Sequence, residues 1–482
     1  MPTTITIDPL TRIEGHLSIE ITVDDVGGQQ QVVDARSSGT MFRGFEQLLL
    51  GRDPRDAVPY TQRICGVCPV SHAIASSLTL EQAFGLTIPA NGRLLRNLIL
   101  GANFIQSHLL HFFHLSVVDY VDTTGLLDGV PWEPRHPAAD MLTGSDAQDL
   151  VAHYLAAFAM RRKAHQAGAL FAGKLPCTGS ILAGGCTVEV TPENIAAFRS
   201  LLDELRWFID QVYVPDALLL ADRFPAYSGL GEGPGNLLAY GAFELDDAGT
   251  DRLFPSGRWD GSDAAFDAAQ ITEHLTYSWF DGAGGPHPPA QGTTVPDPDK
   301  PGAYTWLKAP RYADQPYELG PLARMWVSGR YRNGISAMDR IVARAHETKL
   351  LADAMDGWLD ELQPGAQGMA QAVLPQQAVG AGLTEAPRGG LGHWIAIDNR
   401  TVDRYQVVTP TNWNTSPRDD NHVPGPLEAG LIGTPVADLD HPLEVVRVAH
   451  SFDPCLACAV HVFRPGQARS RGRVVLRPGG GS

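Results

Sequence analysis

Four cysteines in two C-x-x-C pairs stand at opposite ends of this chain. Cys65 and Cys68 lie in Arg63-Ile64-Cys65-Gly66-Val67-Cys68-Pro69, and Cys455 and Cys458 lie in Asp453-Pro454-Cys455-Leu456-Ala457-Cys458-Ala459-Val460-His461. A C-x-x-C turn brings two sulfurs to one side, close enough to chelate one ion. If both pairs grip the same centre, the two ends of the chain must fold together and most of the sequence lies inside one closed loop. Zinc and iron–sulfur chemistry both suit four thiolates. Zinc ribbons, however, usually separate their pairs by roughly 15–20 residues, whereas nearly the whole chain intervenes here.

The 482 residues are 44% hydrophobic and 19% charged, which describes a globular protein. Length alone allows roughly two to four domains, but no repeat or linker interrupts the interval between the cysteine pairs, so one cooperative unit is expected. The net charge of −17 disfavours nucleic acid as a partner. Six cysteines do not make a disulfide framework in a chain this long. Cys177 and Cys186 lack ligand spacing and read as small apolar side chains. The N-terminus shows no basic region followed by an apolar run, so no signal peptide is expected. Leu94 to Val118 is the most apolar stretch, yet it carries Arg96, Asn97, Asn103, Gln106, His108, His111 and His114. That load predicts a buried helix rather than a membrane span, and any membrane association must come through partner subunits.

Alternation over Leu17–Val23, a Gly27-Gly28 turn and a return over Gln31–Ala35 predict a hairpin. Helices are expected over Met41–Leu50, Ser71–Phe84, Gly92–Val118, from a Ser145 cap to Ala172, from Thr191-Pro192-Glu193 onward, around Ile335–Leu351 and over Pro442–Ala449. Ala226–Pro310 and the region after Pro364 read as loops and short strands. The expected class is α+β and predominantly helical: long central helices, small peripheral sheets and long loops, with the metal site built from N- and C-terminal segments.

The residues flanking the cysteines carry a resemblance. The two cysteine motifs, together with Arg12-Ile13-Glu14-Gly15-His16, Phe42-Arg43-Gly44-Phe45-Glu46 and Ala386-Pro387-Arg388-Gly389, resemble in order the large, catalytic subunit of nickel–iron hydrogenases. The resemblance spans the chain to His461. It implies a nickel held by Cys65, Cys68, Cys455 and Cys458, with Cys68 and Cys458 bridging to an iron that carries carbon monoxide and cyanide. Glu14 would relay protons beside Cys455, and Arg388 would project over the open position between the metals. His72, Pro387, Thr411, Asp453 and Ser107 would surround them: Pro387 and Thr411 at the cyanides, Asp453 paired with Arg388 or its neighbours. Many members have Asp near the position of Ser107, so this chain keeps a hydrogen bond there and loses a charge. Glu46, the carbonyl of Val407 and His461 would hold a magnesium.

The resemblance further implies reversible oxidation of H2, probed most directly against the rival reading of a zinc tetrathiolate in a structural protein. Too few cysteines remain for a relay of clusters, so an iron–sulfur small subunit must take the electrons, on to a membrane cytochrome or quinone-linked acceptor. Val462–Ser482 is rich in Arg and Gly. It matches the extension that a maturation protease removes, here between His461 and Val462, once chaperones have inserted nickel. Residues 1–461 would then form a single catalytic domain and 462–482 a removable tail. The tail argues against the family's regulatory hydrogen sensors, and the retained cysteines argue against a subunit of a respiratory complex.

Overall fold

The computed structural model describes residues 2–127, 138–282 and 285–459. Its first element is an antiparallel sheet of β1 (Thr3–Ile7), β2 (Leu17–Val26) and β3 (Gln29–Gly39), in that order. Leu17, Ile19, Ile21 and Val23 all point into the core, as strict alternation requires. Gly27 and Gly28 turn the hairpin with φ of 66° and 90°, conformations that glycine adopts without penalty. The sheet is held against the C-terminal part of the chain by Val32 and Gly433–Thr434, which exchange backbone hydrogen bonds.

Long helices form the centre: α1 (Pro69–Phe84), α2 (Ala90–Leu109), α3 (Gly144–Ala172), α4 (Pro192–Phe208) and α5 (Ala337–Glu361). Every residue of α2 from Asn91 to Leu109 is buried, and Gly101 lets it approach Met355 of α5 closely. After Leu109 the chain continues as a π-helical segment, Leu110–Ser116, and a 3₁₀ turn, Val117–Asp119. The apolar stretch is therefore a buried central helix as expected. No helix among the described residues is long and apolar enough to cross a membrane. Thr191 caps α4 by accepting from Asn194 N–H, with Pro192 in the first turn.

Three expectations change. The helix foreseen over Met41–Leu50 is only Phe45–Leu49, because Gly44 takes a left-handed φ of 66° and breaks the turn before it. Ser145 is not the cap of α3: Thr143 occupies that position, without a side-chain capping bond. The region after Pro364 contains more than short strands: β4 (Ala378–Ala386), β5 (Gly389–Asp398) and β6 (Thr401–Val408) form a full antiparallel meander. This sheet lies directly on α1. Side chains at Gly380 and Gly382 would strike the carbonyls of Thr79 and Ala75 at 2.2 Å, so glycine is required for the contact. The chain ends, as described, with α6 (Leu443–Ser451) and the short α7 (Leu456–Ala459). Elsewhere, Ala226–Pro310 holds small two- and three-stranded pieces. The class is thus α+β with long helices and separate small sheets.

Candidate metal centre

Four segments converge on one buried point. Cys65 and Cys68 sit between the 3₁₀ turn Gln62–Ile64 and α1, with Cys68 at the N-cap and Pro69 in the first turn. A thiol at a helix N-terminus is stabilised as thiolate by the exposed N–H groups and the dipole. The N–H groups of Val67 and Cys68 both donate to Cys65 Sγ, at 3.2 and 3.3 Å. Cys455 arrives from the other end of the chain, and its Sγ lies 3.3 Å from Cys65 Sγ. The sulfurs of Cys65, Cys68 and Cys455 all lie within 4.8 Å of one another, fully buried. Cys458 belongs to α7, in the same short segment as Cys455; its side chain, His461 and Val462 lie outside the described residues.

The N-terminal motif closes the site. Glu14 and Cys455 form an isolated parallel β-bridge, and Leu456 N–H donates to Glu14 O at 2.6 Å. Gly15 follows with φ of 86°; a Cβ there would meet Ala457 N at 2.4 Å. Burial pushes the Glu14 carboxyl above its ordinary range and Cys65 pushes it further, against the opposing pull of Arg388, Gly66 N–H and Arg43. Arg43 fastens the two cysteine segments together by donating to Ile64 O and, at 2.6 Å, to Ala457 O.

Arg388 occupies the two-residue turn, Pro387-Arg388, between β4 and β5. Its Nε donates to Asp453 O at 3.0 Å and Nη1 donates to Ser107 Oγ at 3.2 Å. Nη2 lies 2.9 Å from Asp453 Oδ1 but off-axis for a hydrogen bond, so it remains a buried donor without a hydrogen-bond acceptor among the described residues. Burial alone would lower the pKa of Arg388; Asp453 and the three cysteines outweigh it, and the guanidinium holds its proton more tightly than in water. Asp453 itself has φ of 54°. The turn is anchored by Arg324, whose Nη1 and Nη2 donate to Ala386 O and Pro387 O at 3.1 and 2.8 Å while Glu347 and Glu385 neutralise it.

The remaining expected residues fall around this point. Thr411 Oγ1 accepts from Cys455 N–H at 3.1 Å. His72, on the first turn of α1, has Nδ1 3.2 Å from His393 Nε2, and His393 Nδ1 lies 2.8 Å from the Tyr405 hydroxyl. Burial pushes His72 down to about 4, so its imidazole is neutral. Glu46 stands apart from the sulfurs: Oε1 accepts from Val407 N–H at 2.8 Å, Oε2 accepts from the Thr294 hydroxyl, and Lys308 Nζ lies 4.0 Å away. Cys177 and Cys186 are not among the clustered thiols.

Several contributors escaped sequence reading. Arg43 stands inside a motif that supplied the site with Glu46 alone. Asn103 and Gln106 registered only as polar breaks in an apolar stretch, yet both donate to Val67 O inside the first cysteine loop, each at 3.0 Å. The signal was present: an amide in an otherwise apolar buried helix needs an acceptor.

The donor set fits a soft metal ion. Three converging buried thiols, a helix N-terminus behind one of them and a buried guanidinium whose charge they help to hold are features that suit such a centre.

A family model described as nickel-dependent hydrogenase matches residues 43–149, 135–335 and 328–461, and a HoxL-like model matches residues 4–38. The periplasmic [NiFeSe] hydrogenase large subunit of Desulfomicrobium baculatum is 43% identical over 95% of each chain. The hydrogenase-2 large chain of Escherichia coli is 33% identical over 95% of this chain and 97% of its own. The Ni-Fe-Se hydrogenase of D. vulgaris Hildenborough, solved in the reduced state, superposes with a TM-score of 0.92 at 42% identity, covering 96% of this chain and 100% of that one. The chain belongs to the nickel-dependent hydrogenases, as a large subunit. Two of these relatives carry selenium in their names; this sequence has cysteine at all four positions of its C-x-x-C pairs.

Proposed function

We propose that this subunit catalyses H2 ⇌ 2 H⁺ + 2 e⁻ in the uptake direction and passes the electrons to an iron–sulfur small subunit. The observation that carries this reading is the meeting of three buried cysteine sulfurs with Arg388 and Glu14, from four distant segments of the sequence. An uptake hydrogenase large subunit from Rhizobium leguminosarum bv. viciae, 33% identical over 98% of this chain, supports the direction.

On this reading Cys65, Cys68, Cys455 and Cys458 would hold nickel, and Cys68 and Cys458 would also hold an iron with carbon monoxide and cyanide ligands. When bound, the metal pair supplies the redox and Lewis-acid chemistry for heterolytic cleavage of H2. Cys455 takes the proton at Sγ. Glu14, paired to Cys455 through the backbone, accepts it next; a carboxyl raised by burial and by Cys65 sits closer in proton affinity to a thiol than a solvated one would. Arg388, fixed by Asp453 and Ser107, presents a guanidinium to the open position and stabilises charge that develops there. The Thr411 oxygen already accepts from Cys455 N–H, so its own O–H would be left to donate to a cyanide, beside Pro387. His72 lends a neutral imidazole to the thiolate surroundings. Glu46, the Val407 carbonyl and His461 bind magnesium, which anchors the C-terminal segment.

Residues 1–461 form the mature catalytic domain. Nickel-insertion chaperones and a protease act on the precursor, and cleavage between His461 and Val462 removes the tail. A membrane cytochrome or quinone-linked carrier takes the electrons from the small subunit. Infrared spectra of the matured heterodimer test the centre: carbonyl and cyanide bands in the triple-bond region are expected, and their absence with zinc as the sole metal would refute the assignment. Intact mass of the nickel-loaded protein tests the cut, and a chain still ending at Ser482 would rule it out.

A further inference from the structure

Two carboxamides reach one peptide bond in the first cysteine loop. Asn103 Nδ2 and Gln106 Nε2, both fully buried on α2, donate to Val67 O at 3.0 Å each. The same peptide unit carries the N–H of Cys68, which donates to Cys65 Sγ at 3.3 Å, and the preceding peptide donates to that sulfur from Val67 N–H at 3.2 Å. Gln106 is polarised in turn, because its Oε1 accepts from Arg161 Nη2 at 3.5 Å. A line of aligned dipoles thus runs from a cation on α3, through an amide and a peptide, to a sulfur.

Two amides are an expensive way to pack a helix. Burying a carboxamide without partners is costly, and Asn103 Oδ1 has no hydrogen-bond partner among the described residues. Apolar side chains would fill the same space without that cost. What the amides add is electronic. Donation to a peptide oxygen makes the N–H on the other side of that peptide a stronger donor, by about 10–30% per bond. A stronger N–H···S bond withdraws charge from sulfur, and hydrogen bonds to sulfur are among the levers that set the potential of a sulfur-ligated metal.

We propose that Asn103 and Gln106 are positioning residues that set the electron-donating strength of the Cys65 thiolate, acting through the Val67–Cys68 peptide. The proposal rests on the reading of Cys65 as a nickel ligand. The amides withdraw charge from the sulfur, so they stabilise the more reduced nickel state; removing them makes the sulfur a better donor and favours the oxidised state.

The test is an infrared-monitored redox titration of the nickel-loaded heterodimer carrying Gln106→Leu, which keeps bulk and removes the donor. Expected are a lower midpoint potential for the nickel couple and a carbonyl band moved to lower wavenumber in each redox state. Asn103→Ser should act in the same direction and the double variant more strongly. A purely structural role would lower nickel content without moving the potential of the loaded fraction. Potentials unchanged or raised in a loaded variant overturn the proposal. Loss of nickel from one single variant leaves the other to decide it, and loss from both overturns it in favour of a structural clamp. A wild-type sample without carbonyl and cyanide bands would instead refute the nickel–iron assignment.

Discussion

Gly15→Ala should open the metal centre without touching any metal ligand. Gly15 lies between Glu14 and the segment that delivers Cys455. Its added Cβ would stand 2.4 Å from Ala457 N and 2.9 Å from Leu456 C and Cβ. These are backbone atoms and the root of a side chain, so no rotamer change relieves the contact. Ordinary van der Waals separation requires a displacement of about 1 Å. At φ of 86° an L side chain adds strain of about 1–2 kcal/mol, overpacking adds about 1–3 kcal/mol, and the 2.6 Å bond from Leu456 N–H to Glu14 O, worth about 1 kcal/mol, is stretched or lost. The terms overlap, and a net cost of about 3 kcal/mol to the closed site is a conservative reading.

That cost falls on the apposition of Glu14 and Cys455 and leaves the helical core alone. A displacement of about 1 Å at reacting groups costs on the order of 100-fold in rate. The assay is H2 uptake with a dye acceptor on the purified heterodimer, beside nickel content and far-UV circular dichroism. Expected are a loss of about 100-fold in activity, reduced nickel retention and an unchanged helical spectrum. Wild-type activity with full nickel in the alanine variant would show that the β-bridge tolerates a side chain, and the closure argument would fall.

Other perturbations separate chemistry from scaffolding. Glu14→Gln keeps the shape and backbone pairing and removes the proton acceptor, so activity should fall by about 10²–10⁴ while the infrared bands persist; an active variant would move the proton relay elsewhere. Arg324→Lys cannot reproduce the five hydrogen bonds to Glu347, Glu385, Ala386 and Pro387, and breaking this buried pairing should cost about 3–5 kcal/mol, read as a lower melting temperature together with weakened activity; a melting point equal to wild type would contradict it. Burial pushes His108 down to about 4 and His111 to about 3, so between those values and the ordinary 6.5 the unfolded chain binds more protons than the folded one. Their contribution is fully present above pH 6.5 and is lost as pH falls through that window, on the order of a few kcal/mol in all; a melting temperature that rises between pH 7 and pH 5 would be the contrary result.

What could be read from the sequence was what is local. The Gly27-Gly28 hairpin, the Thr191 cap and the two C-x-x-C turns each announce themselves within a few residues, and the order of motifs carried the site. The meander Ala378–Val408 did not, because glycine at 380, 382, 389, 390 and 392 weakens a strand pattern. Gly380 and Gly382 instead answer a demand from far away, the carbonyls of α1, which no local pattern records. The acceptor of Asn103 and Gln106 is illegible for the same reason: it lies 36 and 39 residues earlier in the chain. Position on a buried helix could be foreseen, but not which loop would fill the facing side.

The buried arginines extend this long-range logic to charge. Arg324 is matched by Glu347 and Glu385, and Arg340 by Glu318 at 2.6 Å. Arg388 shares Asp453. Arg344, on α5, has no ion-pair carboxylate among the described residues: it donates to the carbonyls of Arg340 and Ser451 at 3.2 and 3.4 Å, and its Nε is unsatisfied. Burial lowers its pKa, and Asp453 is the foremost group resisting that. Two cations thus lean on one carboxylate beside the cysteines. A buried charge left uncompensated costs several kcal/mol, so this arrangement is stable only when further negative charge stands nearby. A deprotonated thiol beside them would supply such charge. Cationic surroundings favour the thiolate form of a cysteine, the form that can bind a metal. The guanidinium to which the proposed function gives a catalytic role would thereby also prepare the ligands for metal uptake.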